Sequence, residues 1–571
     1  MSISHEAFRN MTTRALASCL LSAAATFAAA QSSAPTVTID GAAQAAAAAQ
    51  ITRATLEAPI RFLASDALEG RGPATRGDTL ARLYLATELQ SMGYQPAGEN
   101  GGWEQPFDVV GVTAKTPEIW HFSGKKGSAD LKWYQDWITG SGVQRDTASL
   151  DNAEVVFAGY GIDAPEYRWD DFKGVDVKGK VIVVLNNDPD WDPKLFAGKT
   201  RLYYGRWSYK YENGARHGAA AVIIIHTTPS AGYPWQVVQS SWSGEQFELP
   251  AEGEPRIQLK AWVTEEAARR LFKAGGQDLD KLVAAARSRS FKPVSLGLRT
   301  SIKVENKVTH VRTANVAGIL PGSDPKLKDE VVIYTAHHDH LGIGPPDAKG
   351  DTIYNGAEDN ASGCAQVLAI GRAMAALPQR PRRSVMLLFV AGEEQGLLGS
   401  KYYSLHPTVL PGRIAANVNY DGGNFRGRTK DLTAIGYGKS SLDAVARAVL
   451  EKQGRRLVPD QFPDRGYYYR SDQFSFAQIG VPALYFDTGT DYVGRPPGWG
   501  AQQKQEWEEH TYHQPSDQID DTWVFDGMIE DATVGFLAGY TVAQADALPT
   551  WTPGDEFEAA RKKALEQVAQ H

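Results

Sequence analysis

Histidines that could bind a metal are grouped at two places in this sequence of 571 residues, which has only 12 histidines. His337, His338 and His340 fall within four positions, and His510 and His513 form a second group. A single histidine is more often a structural residue than a ligand. Grouping beside carboxylates favours a metal site, because imidazole and carboxylate together suit zinc, with manganese or cobalt as substitutes.

Aspartates and glutamates at three further places complete a pattern of metal ligands. Glu393 and Glu394 follow one predicted strand, and Asp421 follows another. Asp359 lies in the polar turn 356–363, which opens a predicted helix. An aspartate at this position can cap the helix N-terminus. It can also bridge two cations, because a carboxylate has one oxygen for each of them.

The adjacent Glu393 and Glu394 require two different roles, because neighbouring side chains that leave a strand cannot reach the same point. One can bind a metal, and the other can act as a general base on metal-bound water, whose pKa the metal lowers from about 16 to about 7. A solvated loop is the alternative, but apolar residues flank the pair on both sides. Asp339 can accept a hydrogen bond from the His337 nitrogen that the metal leaves free.

The elements that precede these residues bring them to one edge of a sheet. Strands and helices alternate, which favours an α/β fold with a mixed, largely parallel sheet covered by helices on both faces. In such sheets, ligands bind at the carboxyl ends of the strands. The predicted strands are 331–335, 385–390, 415–420 and 483–486, and the clearest helices are 361–377 and 442–452.

Length and composition predict a folded protein of two or more domains, with 42% hydrophobic and 22% charged residues. A strand-rich segment at 140–300 divides the α/β domain into a first part, 51–139, and a main part, 301–548. Residues 31–50 are rich in Ala, Gln and Ser and predict a mobile leader. Residues 549–571 contain a charged amphipathic helix.

The N-terminus has the layout of a secretory signal peptide at 1–30. Arg9 and Arg14 precede an apolar run, and small residues lead to Ala30. Because the run is shorter than the roughly 20 residues that cross a bilayer, no stable membrane span is expected. Lipoprotein anchoring at Cys19 is disfavoured, since most of the apolar core follows that cysteine. We therefore predict cleavage after Ala30 and a periplasmic or secreted protein.

These motifs resemble those of one family, the co-catalytic di-zinc peptidases, which includes bacterial leucyl aminopeptidase, aminopeptidase Y and glutamate carboxypeptidase. The resemblance covers about residues 50–120 and 300–545. Residues 140–300 resemble a protease-associated domain inserted into the peptidase sequence. The five motifs, in the order of the family, are Ala336-His337-His338-Asp339-His340, the turn 356–363 with Asp359-Asn360, Gly392-Glu393-Glu394-Gln395-Gly396, Asn419-Tyr420-Asp421 and Tyr512-His513-Gln514-Pro515-Ser516-Asp517.

The resemblance implies a role for each of these residues. Glu393 would be the general base, Asp339 would orient His337, and the peptide bond between Asp359 and Asn360 would be cis. The metal ligands would be His337 and Asp421 for one zinc, Glu394 and His513 for the other, and Asp359 as the bridge. The residues that would shape the substrate pocket are Arg470, Ser471 and Asp472.

By this resemblance, the protein is a two-zinc aminopeptidase that hydrolyses peptides with a free N-terminus, through a metal-bridging water activated by Glu393. The same ligands serve carboxypeptidases and dipeptidases, which are the nearest alternative. A one-zinc glutaminyl cyclase is disfavoured because both metal sites are complete. A non-catalytic peptide-binding protein is a remote alternative, since no ligand or base is missing. A net charge of −8 provides no basic footprint for nucleic acid.

Overall fold

The computed structural model describes residues 41–570. The predicted signal peptide, Cys19 and the first part of the predicted leader lie outside these described residues. Within residues 41–570, no helix combines the length and the apolar character that crossing a membrane requires.

A mixed sheet forms the middle of the α/β domain. Its four central strands run parallel and consist of buried residues almost throughout, which is typical of a sheet that helices cover on both faces. Antiparallel strands border them on each side. The predicted fold class is confirmed. In spatial order, the strands are Val294–Leu320, Ser384–Val390, Val331–His337, Ile414–Tyr420, Ala483–Thr488, Asp431–Ile435 and Arg456–Pro459.

Alternate residues of the central strands enter two different cores, because successive side chains of a strand point to opposite faces. Val332 and Tyr334 belong to the larger core, whereas Val331 and Ile333 belong to the core on the other face. The helices of the larger core are Gly41–Ala48, Arg53–Leu63, Arg76–Ser91, Gly363–Ala375, Leu442–Lys452 and Asp526–Gln544. The helices that pack on the other face are Leu398–Leu405 and Gln473–Gln478.

A second set of strands and helices has apolar cores of its own. One of these cores contains Trp120, Phe122 and Leu131 together with Val155 and Val304, so the second unit begins before residue 140, the boundary expected from the sequence. Its strands are Ile119–Gly124, Gly127–Lys132, Trp137–Ser141, Thr147–Phe157, Asp163–Ala164, Trp169–Asp170, Val181–Leu185, Ala221–His226, Glu245–Glu248 and Leu259–Thr264. Its helices are Trp207–Arg216, Thr228–Ala231, Trp235–Ser241, Glu265–Ala274 and Leu279–Ala286.

One long strand connects the two units. Val294–Leu320 pairs first with Thr147–Phe157 of the second unit, then with Glu104–Lys115, and finally with Ser384–Val390 of the central sheet. Backbone hydrogen bonds therefore continue from one unit into the other, which fixes how the second unit lies beside the central sheet.

Residues 41–50 differ from the mobile leader expected there. Gly41–Ala48 is a helix, and Ala47 is buried in the larger core of the α/β domain. Alanine has the highest helix propensity, so a run of alanines becomes helical once one of its faces is buried. At the other end of the chain, Glu558–Ala569 is helical, and its Arg561 donates hydrogen bonds to the carbonyl oxygens of Pro411 and Ile414.

A glycine in the long helix Asp526–Gln544 determines how closely this helix approaches the central sheet. A Cβ atom added at Gly535 would lie 1.8 Å from the Tyr420 hydroxyl oxygen. We expect Gly535→Ala to lower the free energy of unfolding by about 1–3 kcal/mol, because the added methyl group overpacks the contact. Urea denaturation would measure the change.

The same substitution in a Tyr420→Phe background is the matched control for this contact. The loss should then be smaller, since the hydroxyl that meets the new methyl group is gone. Equal losses in both backgrounds would show that this contact does not set the spacing.

Candidate metal centre

The predicted ligands lie at the carboxyl edge of the central sheet. His337 is the last residue of the strand Val331–His337, and Asp421 directly follows Ile414–Tyr420. Glu394 follows the strand Ser384–Val390 after a short turn. Because these three strands are parallel neighbours, their ends deliver side chains to the same place.

His337 lies between two carboxylates. Its Nε2 atom is 3.2 Å from Asp359 Oδ1 and 3.2 Å from Asp421 Oδ1. The imidazole is almost completely buried, with a side-chain exposure of 1%. One nitrogen and two carboxylate oxygens thus face one another in a site with little access for solvent.

His513 lies between two carboxylates in the same way. Its Nε2 atom is 3.0 Å from Glu394 Oε2 and 3.3 Å from Asp359 Oδ2. The other ring nitrogen, Nδ1, is 2.7 Å from Ser241 Oγ, and Ser241 belongs to the second unit. Asp359 therefore places one oxygen beside His337 and the other beside His513.

The donor set fits divalent cations such as zinc. Nε2 of His513 is buried and makes no hydrogen bond of acceptable geometry among the described residues, even though carboxylate oxygens lie close to it. Unpaired buried polar atoms are rare in proteins and point to a ligand. The groups whose ligand atoms lie within 4.8 Å of one another are His337 with Asp359 and Asp421, His337 with Glu393 and Glu394, and His340 with Asp359 and Glu394.

His340 is the residue of this cluster for which the sequence predicted no role. Its Nδ1 atom lies 2.6 Å from Glu394 Oε1, which leaves Oε2 on the side of His513. The grouping of His337, His338 and His340 was the available signal. It could not show which of these histidines faces Glu394, since that depends on how the loop after the strand turns.

Asp339 contacts the loop of the glutamates as well as His337. Its Oδ1 atom accepts a hydrogen bond of 3.1 Å from the Glu393 backbone N–H. The same oxygen is 3.7 Å from Nδ1 of His337, whereas the Asp339 carbonyl oxygen is 3.3 Å from that nitrogen. The carboxylate therefore positions Glu393 directly, and the backbone carbonyl is the nearer acceptor for His337.

Burial and nearby charges shift the pKa values of Glu393 and Asp359 in opposite directions. Burial raises the pKa of Glu393 well above its usual range, and the negative charges of Asp421 and Glu394 add to this effect, while His337 opposes it. Burial also acts to raise the pKa of Asp359, but the imidazoles of His337 and His513 beside its two oxygens hold that pKa well below the usual range. Asp359 is therefore suited to bind cations, and Glu393 is suited to accept a proton.

One buried arginine connects the loops that carry the ligands. The Arg71 guanidinium donates hydrogen bonds of 2.5–3.0 Å to four carbonyl oxygens, those of Leu63, His338, Asn355 and Gly356. His338 directly follows the ligand His337, and Gly356 begins the turn that contains Asp359. Arg71 therefore fixes the two ligand loops relative to each other.

A second anchor holds the turn of Asp359. The Asp517 carboxylate accepts hydrogen bonds from the backbone N–H groups of Glu358, at 2.9 Å, and of Asp359, at 3.1 Å. The Asp359–Asn360 peptide bond is cis, as the family resemblance implied. Asp517 lies four residues after His513, so the segment that carries one histidine also positions the bridging carboxylate.

The three residues expected to shape the substrate pocket differ in location. Arg470 lines two cavities next to the metal cluster. Ser471 and Asp472 are only 1% exposed, and the Ser471 hydroxyl accepts a hydrogen bond from Asn419. Neither of them lines these two cavities, whereas Arg470 lines both. Ser471 and Asp472 directly precede the helix Gln473–Gln478, whose residues are mostly buried.

Comparison with protein families matches residues 315–531 to Peptidase family M28. The matched segment contains all five predicted ligands. This segment belongs to peptidase family M28. The match confirms the resemblance to zinc peptidases that the motifs indicated, and the central domain is a metallopeptidase domain of that family.

Relatives of the M28 domain are similar over parts of their length. A probable zinc metalloprotease of Leptosphaeria maculans is 38% identical over 92 residues, 16% of this chain and 20% of the relative. A probable leucine aminopeptidase 2 of Aspergillus oryzae is 26% identical over 256 residues, 43% of this chain and 46% of the relative. The chain thus spans less than half of the length of these curated relatives.

A solved structure is similar over nearly the whole chain. The aminopeptidase from Aneurinibacillus sp. strain AM-1 has a TM-score of 0.50 at 18% identity, covering 90% of this chain and 97% of that protein. This likeness concerns the fold, and it extends over most of both chains.

The role of Arg71 can be tested by removing its charge. We expect Arg71→Met to lower the free energy of unfolding by at least about 3 kcal/mol, because leaving a buried carbonyl unpaired costs about 1–3 kcal/mol and four are affected. Urea denaturation would measure the loss.

Arg76→Met is the matched control, since Arg76 is exposed and makes one long hydrogen bond of 3.3 Å to the carbonyl of Ala67. Its effect should stay within about 0.5 kcal/mol. Similar losses for the two variants would contradict the proposed anchoring by Arg71.

Proposed function

We propose that the protein is a secreted two-zinc aminopeptidase that hydrolyses the N-terminal bond of peptides. One observation carries this proposal. The two oxygens of Asp359 lie beside two different histidines, and each histidine has one further carboxylate close to it, from Asp421 or Glu394. A bridging carboxylate with an imidazole and a second carboxylate on each side is a donor set for two zinc ions.

The residues of the cluster divide between the two ions. His337 and Asp421 would hold one zinc, Glu394 and His513 would hold the other, and Asp359 would bind both. When bound, zinc supplies a Lewis acid for the scissile carbonyl and lowers the pKa of a water molecule. The buried position of the cluster excludes bulk water, which strengthens these electrostatic effects.

Glu393 is the proposed general base. Its Oε2 atom is 4.0 Å from Nε2 of His337, and its side chain is 11% exposed, so it reaches the cluster and remains open to the cavities. A hydrogen bond from its backbone to Asp339 holds it in place. The Glu393 carboxylate would take a proton from the attacking water and deliver it to the leaving amine nitrogen.

A cavity of about 90 Å³ beside the cluster favours an amino group over a carboxylate as the recognised end of the substrate. Glu358, Asp359, Glu393 and Asp421 line it. Its two cations are Lys504, which is paired with Asp487, and Arg470. The four carboxylates outnumber the one unpaired cation, so this cavity favours a protonated N-terminus over a C-terminal carboxylate. This supports aminopeptidase rather than carboxypeptidase activity.

The other parts of the proposal concern export and the second unit. The predicted signal peptide with cleavage after Ala30 supports a periplasmic or secreted location, which N-terminal sequencing of the mature protein would test.

We also propose that the second unit is a protease-associated domain. It supplies Ser241, which contacts His513, so it takes part in shaping the active site.

The general-base role of Glu393 can be tested with an isosteric substitution. We expect Glu393→Gln to lower kcat on leucyl-p-nitroanilide by about 100- to 10,000-fold, because an amide cannot accept the proton of the water. Zinc content, measured by mass spectrometry, should stay unchanged.

Glu451→Gln provides the control, since Glu451 is exposed near the end of a helix and lines neither cavity beside the cluster. Its kcat should equal that of the wild type. Wild-type turnover by zinc-loaded Glu393→Gln would refute the assignment of the base.

The two-zinc arrangement predicts different metal contents for different ligand substitutions. After dialysis against zinc, the wild type should hold two ions per chain. His513→Ala should hold one, because it removes a ligand of one ion only, and Asp359→Asn should weaken both sites. A wild type that binds a single ion would contradict the two-zinc proposal, and one that binds none would favour the non-catalytic alternative.

A further inference from the structure

Two arginines, one from each unit of the protein, lie next to the metal cluster. Arg206 directly precedes the helix Trp207–Arg216 of the second unit, and Arg470 belongs to the M28 domain. Both line a cavity of about 60 Å³ that also touches Glu393, Glu394 and His513. Both side chains are half-buried.

Neither guanidinium has a carboxylate partner among the described residues. Arg470 donates one hydrogen bond of 3.1 Å to the Tyr512 hydroxyl and lies over the rings of Tyr233 and Tyr467. The Arg206 guanidinium lies over the ring of Trp207, 4.7 Å from its centroid, and donates no hydrogen bond to any of residues 41–570. Burial and the nearby charge of Arg470 lower the pKa of Arg206 to about 10.

Two other buried arginines of the protein, Arg71 and Arg383, are compensated. Arg71 donates to four carbonyl oxygens, and Arg383 forms a salt bridge of 2.6 Å with Glu330 and donates to the Val542 carbonyl. Charges removed from water without a partner are costly, and two like charges side by side increase that cost. An anion bound between Arg206 and Arg470 would remove this cost in free energy.

The carboxylates of the metal centre cannot serve as that anion once the ions are bound. Asp359, Glu394 and Asp421 carry three negative charges, against four positive charges of two divalent ions. The negative charge of Glu393 brings the centre to neutrality. The two positive charges of Arg206 and Arg470 then remain without compensation next to the reacting bond.

The size and the walls of the cavity suit a single carboxylate group. The cavity has a volume of about 60 Å³, against about 570 Å³ for the neighbouring cavity. Trp207, Tyr233, Trp242 and Tyr512 form its walls. Aromatic walls keep the local dielectric constant low, which strengthens guanidinium–carboxylate pairs.

A larger neighbouring cavity of about 570 Å³ does not offer the same feature. It shares Trp207 and Gly396 with the small cavity. However, its Arg256 is paired with Glu248 and its Arg312 with Asp108, at 2.6 and 2.8 Å. The larger cavity therefore has no comparable pair of arginines without carboxylate partners.

We propose that Arg206 and Arg470 together bind a carboxylate of the substrate, so that the preferred peptides carry a carboxylate next to the bond that is cleaved. This inference rests on the peptidase function proposed above. The carboxylate is either the C-terminus of a dipeptide or the side chain of an acidic residue beside the scissile bond. The acidic cavity on the other side of Arg470 would meanwhile receive the amino group.

Binding can be measured without turnover in zinc-loaded Glu393→Gln protein by isothermal titration calorimetry. The probes are Leu-Leu, Leu-Leu-amide, Leu-Asp-amide and Asp-Leu-amide, of which only Leu-Leu-amide has no carboxylate. At least one carboxylate-bearing probe should bind about 10- to 100-fold more tightly than Leu-Leu-amide, because a charge-assisted bidentate pair forms. The tightest probe identifies the C-terminus, the second side chain or the first side chain as the source.

Addition of Arg206→Gln should lower this preference at least about tenfold, and Arg206→Lys should retain part of it, since lysine keeps the charge but not the bidentate geometry. Arg145→Gln is the matched control, because Arg145 is an exposed arginine of the same unit outside the cavity. Zinc content and thermal unfolding would establish that each variant is folded and loaded.

Equal binding of all four probes would overturn the proposal, and this comparison needs no Arg206 variant. A preference that persists undiminished in Arg206→Gln and Arg206→Lys would also overturn it. Hydrolysis of Leu-Leu-amide by the wild-type protein tests the peptidase function separately, because this substrate carries no carboxylate. Binding preference and hydrolysis can therefore fail independently.

Discussion

The placement of the Asp359 carboxylate is the constraint on which the metal cluster depends. Its two oxygens lie beside His337 and His513, which come from opposite ends of the M28 domain. A buried carboxylate in this position would be costly without positive partners. The cluster therefore holds together only if histidines or cations compensate Asp359, and this couples the binding of metal to the correct arrangement of the ligand loops.

Two buried polar side chains that are not metal ligands hold the ligand loops in place. Arg71 satisfies carbonyl oxygens of both loops, and Asp517 satisfies the backbone N–H groups at the turn of Asp359. Irregular backbone does not pair its own N–H and C=O groups in a regular pattern, so these groups in buried loops need hydrogen bonds from side chains. A guanidinium, with five donors in a rigid fork, can serve several carbonyls at once. This rigidity keeps the carboxylates close to each other despite their mutual repulsion.

The second unit places two side chains beside the metal cluster of the M28 domain. Ser241 contacts the imidazole of His513, and Arg206 reaches the cavity that Glu393 also lines. The long strand Val294–Leu320 runs through both units and thereby fixes the distance over which these contacts form. The proposed zinc chemistry belongs to the M28 domain alone, whereas the recognition of substrate groups draws on both units.

The sequence by itself determined the fold class, the central strands and the helix Leu442–Lys452. Apolar periodicity is a local property of each segment, so it can be identified without knowing which segments pack together. It also predicted which residue types gather at the strand ends. Tertiary structure alone decided that His340 faces Glu394, that Asp472 is buried away from the cavities, and that residues 41–48 are helical. Ser241 and His513 are separated by 272 positions, and no local pattern encodes such a contact. Contacts between distant segments depend on how whole elements pack, so they exist only once the chain has folded.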